Sequence, residues 1–477
     1  MILRFGAPDW AILAAYVAAL VLLGFRGARS RRGDAEEFLV GGRTLTVPAF
    51  VAGLVSTWYG GILGVGEFSY LNGLSNWVVF GAPYYVFALV FALLFARKVR
   101  ESASYSIPDM LYRQYGRRTG LLGSLLVYFN SSPAPYTLML AVLLQVVTGW
   151  SLLLCVLTGT VVSVLSVYSG GFRAVARIDR VQFVLMFGGF LLLLSFLIPK
   201  HGVFPFLTNT LPETHFHLFG GHGWQYILVW FFIALWTLVS PQFHQFTLSA
   251  KSPQVARRGI VLSVLCWFLL DGITTLSGMY ARALLPDMAN AAMAYPLLAE
   301  SVLPEVFKGL FFLGLLATVM STNDGLLFIA AVTAGRDIGG RLFPSTDEDA
   351  DRRLTRYGVL FTALLSAVAA LLFPSVIELW YIIGTLFIPA LLLPLTAAYY
   401  PRLALAPRAT FVVMLAAFGL SLLSFVLGRL SDSGVYPLGI EPMYVGLAFS
   451  IGSYAFGMLR RRNGNTKRDA AQGHTPL

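Results

Sequence analysis

The feature that most constrains this chain is a recurrence of long apolar stretches. Thirteen of them run near 8–25, 47–70, 76–96, 119–148, 151–168, 176–198, 224–246, 258–283, 306–334, 354–373, 376–399, 409–428 and 439–459. A helix needs about 20 mostly apolar residues to cross about 30 Å of hydrocarbon. Thirteen such stretches in 477 residues read as an all-α polytopic membrane protein, with the lipid bilayer as its first partner. Composition agrees, with 57% hydrophobic and 12% charged residues, against about 45–50% and about 25% in soluble domains. That balance argues against a cytosolic enzyme, a nucleic-acid-binding module or a disordered scaffold. Cys155 and Cys266 both sit in apolar runs and point to neither a disulfide framework nor a metal centre.

The net charge of +11 is then a statement about topology, since cytoplasmic loops collect Lys and Arg. With the N-terminus outside and one crossing per span, 29 of the 34 Lys and Arg fall in cytoplasmic segments, Arg29, Arg31 and Arg32 among them. Arg4, Lys200, Arg282, Lys308 and Arg429 remain outside. The split alternates loop by loop and predicts a cytoplasmic C-terminus in a cell membrane. The basic cluster follows the first apolar stretch, so that stretch reads as a retained helix and not a signal peptide. No soluble domain is expected, and the tail from Arg460 to Leu477 reads as disordered.

Two spans look broken. The second contains Val55-Ser56-Thr57-Trp58-Tyr59-Gly60-Gly61, and the seventh contains Ser240-Pro241-Gln242. Proline removes a helix hydrogen bond and paired glycines weaken the helix locally. The two spans lie five apart, an odd number, so equivalent spans run in opposite directions. Broken helices at matching places of inverted repeats point to the midplane site of a secondary transporter. The fourth span carries Asn130-Ser131-Ser132-Pro133-Ala134-Pro135, a further kink.

Ionisable groups at membrane depth are costly and default to functional hypotheses. Asp324 ends the run Ser321-Thr322-Asn323-Asp324 in the middle of the ninth span. Hydroxyl and carboxylate oxygens together suit a hard cation. Asp179 lies between Ile178 and Arg180, where an interfacial ion pair with a neighbouring arginine is the simplest reading. Asp271 is roughly mid-span in the eighth stretch, a candidate partner or proton site. Glu67 and Glu378 fall near span ends and read as hydrated. His201, His215, His217 and His222 cluster in the external stretch, which reads as a solvated loop rather than a metal or pH site.

These residues resemble the sodium:solute symporter family over roughly 5–400. The resemblance rests on Glu37-Phe38-Leu39-Val40-Gly41-Gly42-Arg43, Ser106-Ile107-Pro108-Asp109-Met110 and Gly170-Gly171-Phe172-Arg173-Ala174-Val175 with Asp179 and Gln182. Ser240-Pro241-Gln242 and Ala317-Thr318-Val319-Met320-Ser321-Thr322-Asn323-Asp324 complete it. It implies a LeuT-type core of two inverted five-helix repeats. The segments would be a peripheral span and loop (1–46), repeats at 47–199 and 224–400 around an external loop (200–223), two peripheral spans (401–459) and the tail (460–477). It also implies a sodium site: carbonyls of Val55 and Trp58, hydroxyls of Ser321 and Thr322, and a further backbone contribution at Thr318. Asp179 matches an aspartate beside that site. A second site in some members uses hydroxyls where this chain has Asp324 and Gly325, so Asp324 would help hold one cation or carry a proton.

The reading is therefore no enzyme but a sodium-coupled symporter importing a small organic solute by alternating access. Its alternatives are a proton-coupled or sodium-independent carrier on the same core and a solute-binding membrane sensor. The solute is expected beside the breaks, among Thr57, Tyr59, Ile62, Asn76, Trp77, Asn130, Trp236 and Ser240. No arginine lies at mid-depth to grip an acid, which leaves a neutral or zwitterionic solute open. Oligomeric state and solute identity are not written in the sequence.

Overall fold

The computed structural model describes residues 3–26, 35–168, 171–344, 347, 349–373, 375–431 and 435–471. Arg29, Arg31, Arg32, Gly170 and the last six residues of the tail lie outside them. Among the described residues the structure is helical, with one isolated bridge between Leu45 and Ala250. Thirteen helical stretches occupy the thirteen apolar runs. They are α1 (Ala7–Arg26), α2 (Val47–Asn72), α3 (Asn76–Glu101), α4 (Ile107–Thr148), α5 (Leu152–Val167), α6 (Gly171–His201) and α7 (Trp224–Ser249). Next come α8 (Pro253–Leu284), α9 (Phe307–Leu342), α10 (Ala350–Leu372), α11 (Val376–Tyr399), α12 (Pro407–Leu430) and α13 (Pro442–Arg461). Eleven are long and apolar enough to span a bilayer, and α1 and α5 carry shorter apolar runs.

The chain divides into two compact units, 1–106 with 131–380, and 107–130 with 381–477. In the first, α9 is the central helix, and the whole of its apolar window is buried. A helix that is apolar all round belongs inside. It packs on α6, α10, α1 and α2. Gly314 of α9 meets Gly189 of α6, where a Cβ on Gly314 would stand 2.7 Å from the Leu185 carbonyl oxygen. Small residues let the two backbones approach.

The entry to α9 is held in trans. Val306 precedes the helix at φ 73°, and Asp9 of α1 accepts from the Val306 and Gly309 amides at 2.8 and 2.9 Å. A carboxylate there satisfies orphan amides and complements the helix dipole. At the opposite end of this unit the loop before α2 is sewn down. Leu45 donates to the Ser249 carbonyl at 3.1 Å and accepts from the Lys251 amide at 2.9 Å. Arg43 spans the carbonyls of Leu248, Ala103 and Ser104 at 3.0–3.1 Å while pairing with Glu36 at 2.8 Å.

In the second unit α12 packs on α13, and the 107–130 helix packs on α12. Tyr115 donates to the Pro394 carbonyl at 3.0 Å, and Tyr381 to Glu441 at 2.5 Å. Gly116, at φ 77° and ψ −172°, lets the chain turn sharply inside α4.

Two expectations are corrected. The tail is helical as far as Ala471, because the helix begun at Pro442 continues into it. Extending an existing helix avoids the nucleation penalty. The 200–223 stretch is structured, with a helix at Phe204–Thr210 and a tight turn at Glu213–Phe216. His215 there is buried, not solvated. Its Nε2 lies 3.1 Å from the Tyr70 carbonyl, and its own carbonyl accepts from the Leu74 amide at 2.8 Å.

Candidate functional site

The two breaks predicted from Gly-Gly and Pro are present and differ in form. In α2 the helix runs to Trp58, tightens into a single 3-10 turn at Tyr59–Gly61 and resumes at Ile62. In α7 it is interrupted at Ala234–Leu235 and again at Ser240, which turns extended at ψ 120°. The Ser240 side chain then accepts from the Phe243 amide at 3.4 Å and starts the next helix.

Beside the α2 break, oxygens from three helices converge. Thr322 of α9 donates to the Thr57 carbonyl at 2.6 Å. Ser321 donates to Asp179 of α6 at 2.7 Å and lies 3.1 Å from Ser56 Oγ. Thr57 Oγ1 lies 3.4 Å from both Asp179 Oδ2 and Ser321 Oγ. Thr322 Oγ1 is also 3.5 Å from the Thr318 carbonyl, one turn back. The Val55 carbonyl accepts from the Tyr59 amide and lies 3.5 Å from Trp267 Nε1. All of Ser56, Thr57, Asp179, Thr318, Ser321 and Thr322 are buried. A Cβ on Gly60 would collide with Thr322, so that glycine makes the approach possible. The set is oxygen-rich and water-excluded, the chemistry a hard monovalent cation takes.

Several assignments move. Among the described residues Asp179 pairs with no arginine; it is buried and takes the hydroxyls of Ser321 and Thr57. Sequence spacing alone cannot tell which face of α6 meets α9. Thr57, expected at the solute, sits in the oxygen cluster. Asp324 points to α5, where Ser166 donates to it at 2.5 Å. Asn323 beside it donates to Ser163 at 2.9 Å and accepts from Thr137 at 2.9 Å. The two carboxylates of Asp179 and Asp324 remain within electrostatic reach of each other.

The remaining solute candidates do not form one group. Tyr59 donates to Asp271 at 2.5 Å, Asn76 donates to Thr275 at 2.9 Å, and Trp77 packs over Gly272 and Phe268. Ile62 is fully buried. Trp58 packs edge-on against Phe243 of α7, with ring centroids 4.8 Å apart. Trp236 opens the short helix Trp236–Val239. Asn130 belongs to the second unit. The sequence reading passed over Ser56, Ser163, Ser166, Tyr85 and Gln242. Gln242, whose amide lies 3.4 Å from the Thr57 carbonyl, stood in the quoted Ser-Pro-Gln break. Ser163 and Ser166, at i and i+3 in an apolar helix, carried a weaker signal.

A many-span helical fold with broken helices and a buried oxygen cluster where α2, α6 and α9 meet defines a membrane carrier. The family model "Sodium:solute symporter family" matches residues 38–403. The chain belongs to that family, and its class is that of carriers that move a solute with sodium. It is 25% identical to sodium/glucose cotransporter 4 of Danio rerio, over 78% of this chain and 63% of that protein. It is 24% identical to the sodium/pantothenate symporter of Haemophilus influenzae, over 75% of this chain and 77% of that protein. Among solved structures it resembles the substrate-bound, outward-open state of a sodium-coupled sialic acid symporter, at TM-score 0.77 and 16% identity. That match covers 96% of this chain and 98% of the other, so the two share a LeuT-type fold over most of their length.

Proposed function

We propose that this chain imports a small organic solute across a cell membrane by alternating access, driven by inward sodium flow. The N-terminus lies outside and the C-terminus in the cytoplasm, as the 29 inward Lys and Arg of 34 argue. Sodium is carried by the carbonyls of Val55, Trp58 and Thr318 and the hydroxyls of Ser321 and Thr322. Asp179 supplies negative charge through Ser321, and Asp324 adds its field from the α5 side. The observation that supports this most is the Thr322–Thr57 contact at 2.6 Å beside the Ser321–Asp179 contact at 2.7 Å. They join α2, α6 and α9 through oxygens alone.

Sodium can drive the cycle only by binding one state better than another. Ligands split between α2 and α9 do that, because they are assembled only while the two helices meet. The membrane potential adds about 2.3 kcal/mol per charge per 100 mV. The Arg43 and Leu45 seam is the contact that must part for release on the cytoplasmic side. The solute is expected among Tyr59, Ile62, Asn76, Trp77, Trp236 and Ser240, with Thr57 and Asn130 the further candidates.

The test is thermal unfolding of the detergent-purified chain in sodium against potassium at matched ionic strength. Sodium should raise Tm selectively, and Ser321→Ala/Thr322→Ala should remove that rise. Equal Tm values in the two salts would sink the proposal.

A further inference from the structure

The eighth helix carries a buried carboxylate that the sodium site does not use. Asp271 is 6% exposed, near the middle of α8. Tyr59, in the 3-10 turn of α2, donates to one of its oxygens at 2.5 Å. Tyr85 of α3 donates to the other. Thr274, one turn on, lies 2.7 Å from the Tyr59 hydroxyl. Among the described residues no lysine, arginine or histidine pairs with this carboxylate, and the phenols are its polar partners. Phenolic hydroxyls solvate an anion without neutralising it. Burying an uncompensated charge is expensive.

A second acceptor lies on a neighbouring helix. Asn76 is 1% exposed; its amide donates to Thr275 at 2.9 Å, yet among the described residues its buried carbonyl oxygen has no partner. Asp271, Thr274 and Thr275 share one face of α8 by their i, i+3, i+4 spacing, and that face meets α2 and α3. Gly81 forms the wall behind the carboxylate, where a Cβ would stand 2.8 Å from Asp271 Oδ2. Trp77 closes the next position, over Gly272. One anionic oxygen pair, one free amide oxygen and aromatic faces all accept a cation or its N–H groups.

We propose that the transported solute carries an organic ammonium group and that Asp271, framed by Tyr59, Tyr85 and Asn76, binds it. This rests on the symporter reading and names the solute class for it. The solute's positive charge supplies the counter-ion that the protein lacks at this position, and its binding beside the α2 turn places it next to the sodium ligands.

The experiment reads Tm of the purified full chain in sodium while titrating choline, glycine betaine and L-alanine. The uncharged tert-butyl isostere of choline, D-glucose and propionate serve as comparisons. At least one ammonium-bearing probe should raise Tm where the comparisons do not. Asp271→Asn should weaken that response about 30-fold or more, the usual consequence of removing one partner of a buried charge contact. Asp271→Glu, which keeps the charge, should retain the preference for ammonium. The wild-type choline and isostere pair decides the solute class even if Asp271→Asn fails to fold. The proposal falls if no ammonium-bearing probe shifts Tm or if the uncharged probes act equally well. It falls as well if Asp271→Asn lowers Tm but leaves the ammonium response intact, which is a purely structural staple. Failure of the sodium reading is separate, since it shows as equal Tm in sodium and potassium with no probe present.

Discussion

Gly60 has no side chain, and Thr322 occupies the room this leaves. The Gly60→Ala variant should push α2 from α9, at about 1–3 kcal/mol for overpacking. It should also abolish the sodium-dependent rise in Tm, because the Thr57 carbonyl and Thr322 hydroxyl no longer meet. A variant that is destabilised yet keeps the full sodium response would separate the glycine from the ion. Asp179 is the residue at which spacing misleads. Arg177 and Arg180 flank it in sequence, yet its carboxylate turns to Ser321 and Thr57. Helix neighbours at i±1 and i±2 face different directions, so only the packing of α6 on α9 reveals the partner. The Ser321-Thr322-Asn323-Asp324 run was legible without structure, since consecutive polar groups inside an apolar helix need partners. What it did not reveal is that its members face apart, Ser321 to α6, Thr322 to α2, and Asn323 and Asp324 to α5.

Helices carry their own orphan groups, and α9 has its first amides bound by another helix. Asp9 receives them from Val306 and Gly309, so Asp9→Ala leaves two donors without their acceptor, the Gly309 amide buried. A loss of about 1–3 kcal/mol is expected, read as a lower Tm in sodium and potassium alike. A loss seen in sodium only would show instead that Asp9 acts through the ion site. The two broken helices show how far pattern reading reaches. Gly-Gly and Pro located the Tyr59–Gly61 turn and the Ser240 break within a residue or two, but gave no sign of the earlier interruption at Ala234–Leu235. Their conformations, a tight turn in α2 and an extended residue in α7, depend on what satisfies the freed carbonyls. Non-helical backbone at this depth survives only where protein or a cavity supplies partners. Thr322 and Gln242 supply them at Thr57, and both come from other helices.

At the scale of the molecule, the 200–223 segment lies over the junction of α2 and α3 through His215. Burial holds the His215 imidazole below its ordinary value of about 6.5, against the bond to the Tyr70 carbonyl. The folded state thus favours neutral histidine. Docking is complete above about 6.5 and weakens as pH falls below it, because the undocked form takes up the proton first. Hydrogen exchange at the Leu74 amide, which bonds the His215 carbonyl, should quicken on acidification beyond its intrinsic pH dependence. The excess should vanish in His215→Gln; its persistence there would assign the effect elsewhere. The sequence by itself determined the membrane class, the thirteen helical stretches and the places where two of them break. Those follow from hydrocarbon thickness, backbone satisfaction and the chemistry of Gly and Pro, all of which act locally. Only the tertiary structure decided that Asp179 turns inward, that Thr57 joins the oxygen cluster and that Asp271 faces two tyrosines from other helices. Each of those depends on which faces of distant helices meet, and Asp271 and Tyr59 meet across 212 residues of chain.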